Sequence, residues 1–350
     1  MSNSIDISAT RTMIAAIRDI PPLPTFLKRT FFSGSKTFLT EDVDFDYMKG
    51  NHRMAPFVAP KVGGIPMDRE GYETKSFTAP RVAPERVITT EDVSKRSMGE
   101  AVYSLKTPAE RAVEMQAEDL AFLENSIALR EEWMCRQLLF NGVIDIKGQT
   151  NSGDAVEMRV DYKFTNKEAL TGTDLWTNAA SNPMDQLVAW RRDIVSKAGI
   201  SPNVLLMSSD TAMKLVNNAK FKAYYDIDKY NFGTIQPEIR EPLLTFYGRV
   251  PIIGADLYAY DASYIDPGTK AVTPFVPDGT VLFASTVTPG SIYYGAVTYM
   301  DAASNYHTAA LPRVPLVLFD QDSATKTLRL TSRPLPMPLN VEGWAVRKVV

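Results

Sequence analysis

The side chains able to do chemistry are few and scattered. His52 and His307 are the two histidines, and neither has a second ligand at the spacing a metal site needs, so each reads as structural or surface. The one cysteine, Cys135, has no partner for a disulfide and reads as a small buried hydrophobe. No Gly-x-x-x-x-Gly-Lys-Ser/Thr phosphate loop and no Gly-x-Ser-x-Gly nucleophile elbow occurs. Gly63-Gly64 lies in a turn-rich stretch, not between a strand and a helix, so it makes no dinucleotide site. Carboxylates are plentiful, yet spacing pairs no two of them into an acid–base dyad. Lys95-Arg96 and Arg191-Arg192 suit a solvated face; their functional reading is contact with a polyanion or a neighbouring subunit. These residue types point to no catalytic centre, no metal and no cofactor.

Composition narrows the field further. The chain has 350 residues, 45% of them hydrophobic, enough for a sizeable core in two lobes or one elaborated domain. A net charge of −3 leaves no global basic footprint for nucleic acid. No run of about 18 apolar residues could span a membrane, and no basic start followed by an apolar run suggests a secretory signal. With a single cysteine the chain reads as intracellular.

The element that must position everything else is one long helix from Thr107 to about Phe140. Thr107 and Glu110 form a capping box, Pro108 suits the first helical position, and Asn141-Gly142 suits a left-handed stop. Leu120, Leu123 and Ile127 belong to a stripe that starts at Val113 and reaches Met134 and Leu138. Met115, Phe122, Leu129, Trp133 and Phe140 make a second stripe. Glu131 interrupts the heptad pattern, which favours a lone spine with both stripes packed on its own chain over a coiled coil. Upstream, Phe26-Leu27-Lys28-Arg29-Thr30-Phe31-Phe32 follows Pro21-Pro22-Leu23-Pro24 and reads as an arm whose phenylalanines lack a local core. Thr37 to Tyr47 alternates like a strand. Met54–Val62 and Tyr72–Val82 flank the turn-rich centre Gly63–Gly71, which predicts a long two-stranded excursion in need of another surface. Past the spine, Asn182-Pro183 opens a helix ending at Gly199, Val204–Met207 reads as a buried strand, and Ser209 or Asp210 caps a short helix. Phe221–Tyr247 reads as an aromatic loop. Several strands follow, through Val314–Phe319, Thr327–Thr331 and Glu342–Val349.

Four stretches carry a family likeness: Pro24-Thr25-Phe26-Leu27-Lys28-Arg29-Thr30-Phe31-Phe32, Ala59-Pro60-Lys61-Val62, Phe77-Thr78-Ala79-Pro80-Arg81-Val82-Ala83-Pro84, and Pro277-Asp278-Gly279-Thr280-Val281. The last is similar to a Pro-Asp-Asn-Thr-Met stretch that precedes a strand in that family. With the order of elements, they resemble the major capsid protein of tailed phages, most closely the phage lambda-like capsid E family. The resemblance spans most of the chain, with the lobe from Asn166 to Asn305 departing most.

The resemblance implies an α+β fold of the Hong Kong 97 type. It implies an N-terminal arm over 1–48 and an extended loop, a β-hairpin, over 49–90. A peripheral domain over 91–165 would hold the spine helix 107–140, an axial domain would occupy 166–312, and C-terminal strands over 313–350 would return to the peripheral domain. It implies a structural protein forming hexamers and pentamers of an icosahedral phage head around double-stranded DNA, touched non-specifically. Assembly in the host cytoplasm into a virion is expected, with no membrane involved. The partners expected are a portal, a separate scaffolding protein, because too few residues precede Phe26 to fold a domain, and, left open, a decoration protein. Inter-subunit contact is expected from Phe26, Phe31 and Phe32 of the arm, and from Asp68, Arg69, Glu70, Tyr72 and Phe77 of the loop; Leu120, Leu123 and Ile127 are expected as spine core. Some relatives lock the shell through an isopeptide from a loop lysine, but the tip Gly64–Gly71 has none, so a non-covalent lock is expected. An encapsulin-type shell and an enzyme with an unrecognised site are the competing readings.

Overall fold

In the computed structural model, Pro108–Asn141 is one uninterrupted helix of 34 residues. The structure describes residues 25–48, 72–95, 106–149, 155–225, 238–241, 243–301 and 305–350, together with Met13 and Ile17. The helix starts and stops where local chemistry says it should. Thr107 Oγ1 accepts from the Glu110 amide, the Glu110 carboxylate accepts from the Thr107 amide at 2.7 Å, and Gly142 closes the helix at φ +72°.

Only one of the two expected stripes is buried along its middle. Leu120, Leu123 and Ile127 pack with Met13, Leu328 and Leu330; each such burial is worth about 1.5–3 kcal/mol. Met134, Cys135, Leu138, Leu139 and Phe140 then enter the main core. The second stripe is corrected. Phe122 and Leu129 are 51% and 37% exposed, Met115 and Trp133 are half-buried, and Phe140 alone is sealed. The cause is one-sided cover, since the sheet beneath the spine meets a single helix face. Phe122 lies under the Arg86 guanidinium, 3.9 Å from its ring centroid.

That covering sheet is antiparallel: Val314–Asp320, Thr325–Thr331 and Glu85–Ile88, in that order. The larger sheet has seven strands ordered Lys167–Ala169, Trp344–Lys348, Thr280–Ala284, Val204–Met207, Ala255–Tyr260, Leu244–Val250, Glu238–Glu241. Its period-two alternation serves two cores. Leu205, Met207, Leu257, Ala259, Val281, Phe283 and Ala345 face the helices Pro183–Ala198, Ser209–Asn217 and Ala219–Tyr225. Val204, Leu206, Leu282, Ala284, Trp344 and Val346 face the spine, where Trp344 Nε1 donates to Leu139 O at 3.0 Å.

The C-terminal strands therefore divide. Val314–Thr331 returns to the spine, but Trp344–Lys348 inserts between Thr280–Ala284 and Lys167–Ala169, a pairing too distant in sequence for local patterning to reveal. The hairpin also begins earlier than expected: Asp42–Met48 pairs with Tyr72–Thr78 from Asp42↔Thr78 to Met48↔Tyr72. The expected Met54–Val62 limb and the Gly63–Gly71 centre lie outside the described residues. Phe221–Tyr247, read as a loop, carries most of the helix Ala219–Tyr225, the strand Glu238–Glu241 and the start of Leu244–Val250. Ser208 rather than Ser209 or Asp210 caps Ser209–Asn217. Asn182 makes no side-chain cap; its amide group donates to Asp185 at 2.5 Å instead.

Candidate functional site

The residue that broke the heptad is where the fold concentrates its charge. Successive helix positions lie about 100° apart, so Glu131 and Glu132 address two different surfaces. Both are sealed, at 1% and 0% exposure. Glu131 accepts from Arg313 Nη1 at 2.7 Å, from Tyr294 Oη at 3.1 Å and from Lys28 Nζ at 2.6 Å. Glu132 accepts from the Leu27 and Lys28 amides, both at 2.8 Å and on separate oxygens, and from Tyr260 Oη at 3.2 Å.

These two amides belong to the first turn of the short helix Phe26–Phe31, whose capping residue Thr25 offers no side-chain acceptor. Glu132 supplies from the spine the acceptor that a local cap would have supplied. Arg313, just ahead of the Val314–Asp320 strand, reaches across Glu131 to Glu124 at 2.7 Å and touches Ser332 Oγ at 3.2 Å. One cluster thus joins the arm, the spine, the seven-stranded sheet through Tyr260, a second three-stranded sheet (Gly34–Thr37, Ser291–Tyr294, Pro334–Met337) through Tyr294, and the C-terminal hairpin.

The cluster holds three carboxylates, Glu124, Glu131 and Glu132, against two cations, Lys28 and Arg313. Burial opposes ionisation of Glu131, but Arg313 and then Lys28 outweigh it and hold the carboxyl below the ordinary range. Burial dominates at Glu132 and raises it, because its donors are two backbone amides and a phenol. Burial would lower Arg313, yet the Glu131 carboxylate leaves it raised. Burial and the Glu131 charge raise Tyr294. One turn on, burial and Glu132 push the Cys135 thiol well up, so it is no nucleophile at neutral pH. Every oxygen of the pair is engaged and both side chains are sealed from solvent, so the arrangement fastens the arm and the C-terminal hairpin to the spine.

The arm phenylalanines expected at subunit contacts pack within this chain. Phe26, Phe31 and Phe32 are 5%, 5% and 3% exposed and lie in the chain's own main core. The Phe26 ring sits 5.6 Å from both Tyr258 and Tyr260 and 6.4 Å, edge-on, from Phe31. The surface they needed is supplied in cis, by segments more than a hundred residues away. Phe77 is half-buried with its ring 6.2 Å from Tyr162, and Tyr72 pairs with Met48. Asp68, Arg69 and Glu70 lie outside the described residues, as do His52 and Arg96. Leu120, Leu123 and Ile127 are 4%, 1% and 0% exposed. His307 is on an exposed hairpin, 2.9 Å from Asp301; Lys95 pairs with Glu91 at 3.2 Å and Arg191 with Ser201 at 3.1 Å. Among the described residues no group of three His, Cys, Asp or Glu side chains is placed to hold a metal ion.

Sequence reasoning missed Glu131, Glu132, Lys28, Arg313, Tyr260 and Tyr294. A signal was available: two adjacent glutamates inside the apolar run from Ile127 to Cys135 must be paired if that run is buried.

The family model for the phage major capsid protein E matches residues 9–349. The chain is 24% identical over 288 residues to the P21 prophage-derived major head protein of Escherichia coli O6:H1 (strain CFT073), covering 78% of this chain and 79% of that one. The same figures hold for the major capsid protein of Enterobacteria phage P21. Among solved structures it superposes on a prophage capsid protein from E. coli CFT073 with a TM-score of 0.69 at 17% identity, covering 97% and 99% of the two chains. A phage-related protein from Bordetella bronchiseptica RB50 gives 0.55 at 12% identity, covering 97% and 96%. The fold is that of the Hong Kong 97-type capsid proteins. With all but the first eight residues and the last one matched, the chain belongs to the phage major capsid protein E family.

Proposed function

We propose that this chain is the wall subunit of an icosahedral phage head, assembling as hexamers and pentamers around double-stranded DNA in the host cytoplasm. The family match over residues 9–349 carries the reading. It favours a phage shell over an encapsulin-type compartment, and a structural role over a catalytic one. The sealed Glu131–Glu132 clasp supports the latter, because both carboxylates are buried and spend their oxygens on the arm, Arg313 and two tyrosines. On this reading the spine and the three-stranded sheet form the peripheral part. The seven-stranded lobe forms the axial part, including the strand Trp344–Lys348.

The hairpin that begins at Asp42–Met48 and Tyr72–Thr78 reaches a neighbouring subunit on this reading. Asp68, Arg69 and Glu70 would form ion pairs there. Exposed pairs are worth at most about 1 kcal/mol each, so repetition around each ring supplies the strength. A scaffolding protein and a portal are the partners expected. The test is electron microscopy of particles purified after co-expression with the scaffolding protein, followed by a denaturing gel. Uniform closed shells and one band at the monomer mass are expected. A soluble monomer that never forms particles would overturn the shell reading. A ladder that survives boiling would overturn the non-covalent lock alone.

A further inference from the structure

The bonds that join the arm's helix to the two spine glutamates are given by the arm and received by the body. Leu27 N and Lys28 N donate to Glu132, and Lys28 Nζ donates to Glu131. Take the arm away, and Glu131 keeps Arg313 and Tyr294, while Glu132 keeps only Tyr260 among the described residues. Glu131 is thus built into the body, and Glu132 is committed to the arm. The arm has little of its own to stay folded with. Its helix has six residues, far below the length that persists alone. Its strand Gly34–Thr37 has four, is mostly exposed, and among the described residues pairs only with Ser291–Tyr294, at the edge of a three-stranded sheet. The seat is shaped for close approach. A Cβ on Gly290 would meet Met337 O at 2.5 Å and the Phe32 ring at 2.7 Å, while Gly290 N donates to Phe31 O at 2.8 Å.

We propose that residues 25–37 form a strap that opens and closes on the spine as one cooperative unit, separately from unfolding of the body, with the Glu132 carboxylate as its catch. Once the two amides leave Glu132, the helix loses its only side-chain cap and its rings lose their seat together, so partial opening gains nothing. Opening uncovers Tyr258, Tyr260 and the strap's own phenylalanines, and gives the subunit an apolar element that can be withdrawn and returned while the shell-forming body stays intact.

The test is native-state hydrogen exchange of the full unassembled chain, read by mass spectrometry, comparing segment 25–37 with segment 120–141. In the unmodified chain the strap should exchange faster than the spine. Glu132→Gln leaves one oxygen for two amides and should speed exchange across 25–37 by about tenfold or more, with 120–141 unchanged. Lys28→Met, at a side chain that is 28% exposed, should act in the same direction more weakly, and serves if Glu132→Gln does not fold. The proposal is overturned if either folded variant speeds both segments equally, which would make the strap part of the global unit. It is equally overturned if the strap of the folded variants exchanges as in the unmodified chain.

Discussion

Replacing Arg313 with methionine should destabilise the subunit by about 3 kcal/mol, because it strips a sealed carboxylate of its main counter-charge. Removing one partner of a buried pair costs about 3–5 kcal/mol. The lower end applies here, since Glu131 keeps Lys28 at 2.6 Å and Tyr294 at 3.1 Å. Glu124, with its side chain 20% exposed, can recover water and adds little. Methionine retains the apolar stem, so the change isolates charge from packing. The decisive comparison is the double variant Arg313→Met with Glu131→Leu. It removes both charges and should lie within about 1–2 kcal/mol of the parent, a coupling that identifies the pair. Urea unfolding of the unassembled chain, followed by tryptophan fluorescence, reads both. The reasoning fails if the single variant costs less than about 1 kcal/mol, or if the double variant is as unstable as the single.

The clasp also predicts two opposite pH slopes. Glu131 titrates below its unfolded value of 4.5, so its stabilisation is complete above that pH and is lost as pH falls through the folded value. Glu132 titrates above 4.5, so it makes the fold gain stability as pH falls toward 4.5. Measured from about pH 3 to 8, unfolding midpoints should lose part of their acid limb in Glu131→Gln and part of their upper slope in Glu132→Gln; an unaltered acid limb in Glu131→Gln sinks the assignment. On the spine, Ile127→Ala should cost about 2–5 kcal/mol, while Phe122→Ala, half exposed beneath Arg86, should cost under about 1; equal losses would mean that the two faces are equivalent. At the spine's end, Gly142→Ala combines φ +72° with a Cβ driven into Phe164, which stacks 5.0 Å from Trp344. It should cost more than about 2 kcal/mol. Gly172→Ala, at φ +61° with open space around it, should cost about 1. Matching melts for the two glycine variants would refute the steric part.

What could be read from the sequence follows the range of the interactions. Thr107, Glu110 and Gly142 meet partners within four residues, and Pro108 suits the first position by its fixed φ, so the spine's ends were legible to within one residue. Leu120, Leu123 and Ile127 were legible as a face, because helical period alone groups them. Phe122 and Leu129 obeyed the same period, and their exposure depends on how far the Val314–Thr331 hairpin reaches, which no local pattern carries. The arm misled for the same reason. Its four apolar side chains looked unhoused because their housing, including Tyr258, Tyr260 and Gly290, lies in the later half of the chain. The insertion of Trp344–Lys348 into the large sheet and the convergence on Glu131 and Glu132 are likewise products of topology.

The buried charge itself asks why a spine so rich in apolar residues keeps two glutamates where leucine would fit the period. Stability is a weak answer, since well-packed apolar replacements of buried ion pairs are often neutral or better. Register is a stronger one. A phenylalanine finds comparable contact area in several positions along an aromatic trough. Glu132, by contrast, offers its two oxygens to two successive amides, those of Leu27 and Lys28, and only one register of the arm satisfies both. Arg313 does the same for the C-terminal hairpin, bridging Glu124 and Glu131 seven residues apart on one helix face. A one-residue slip at either place would leave a sealed carboxylate without its donor, which costs more than any displaced methyl group. In a shell built from many copies of one chain, a small angular error in the subunit recurs at every contact, so the geometry of the spine's attachments is what such a chain has most reason to fix.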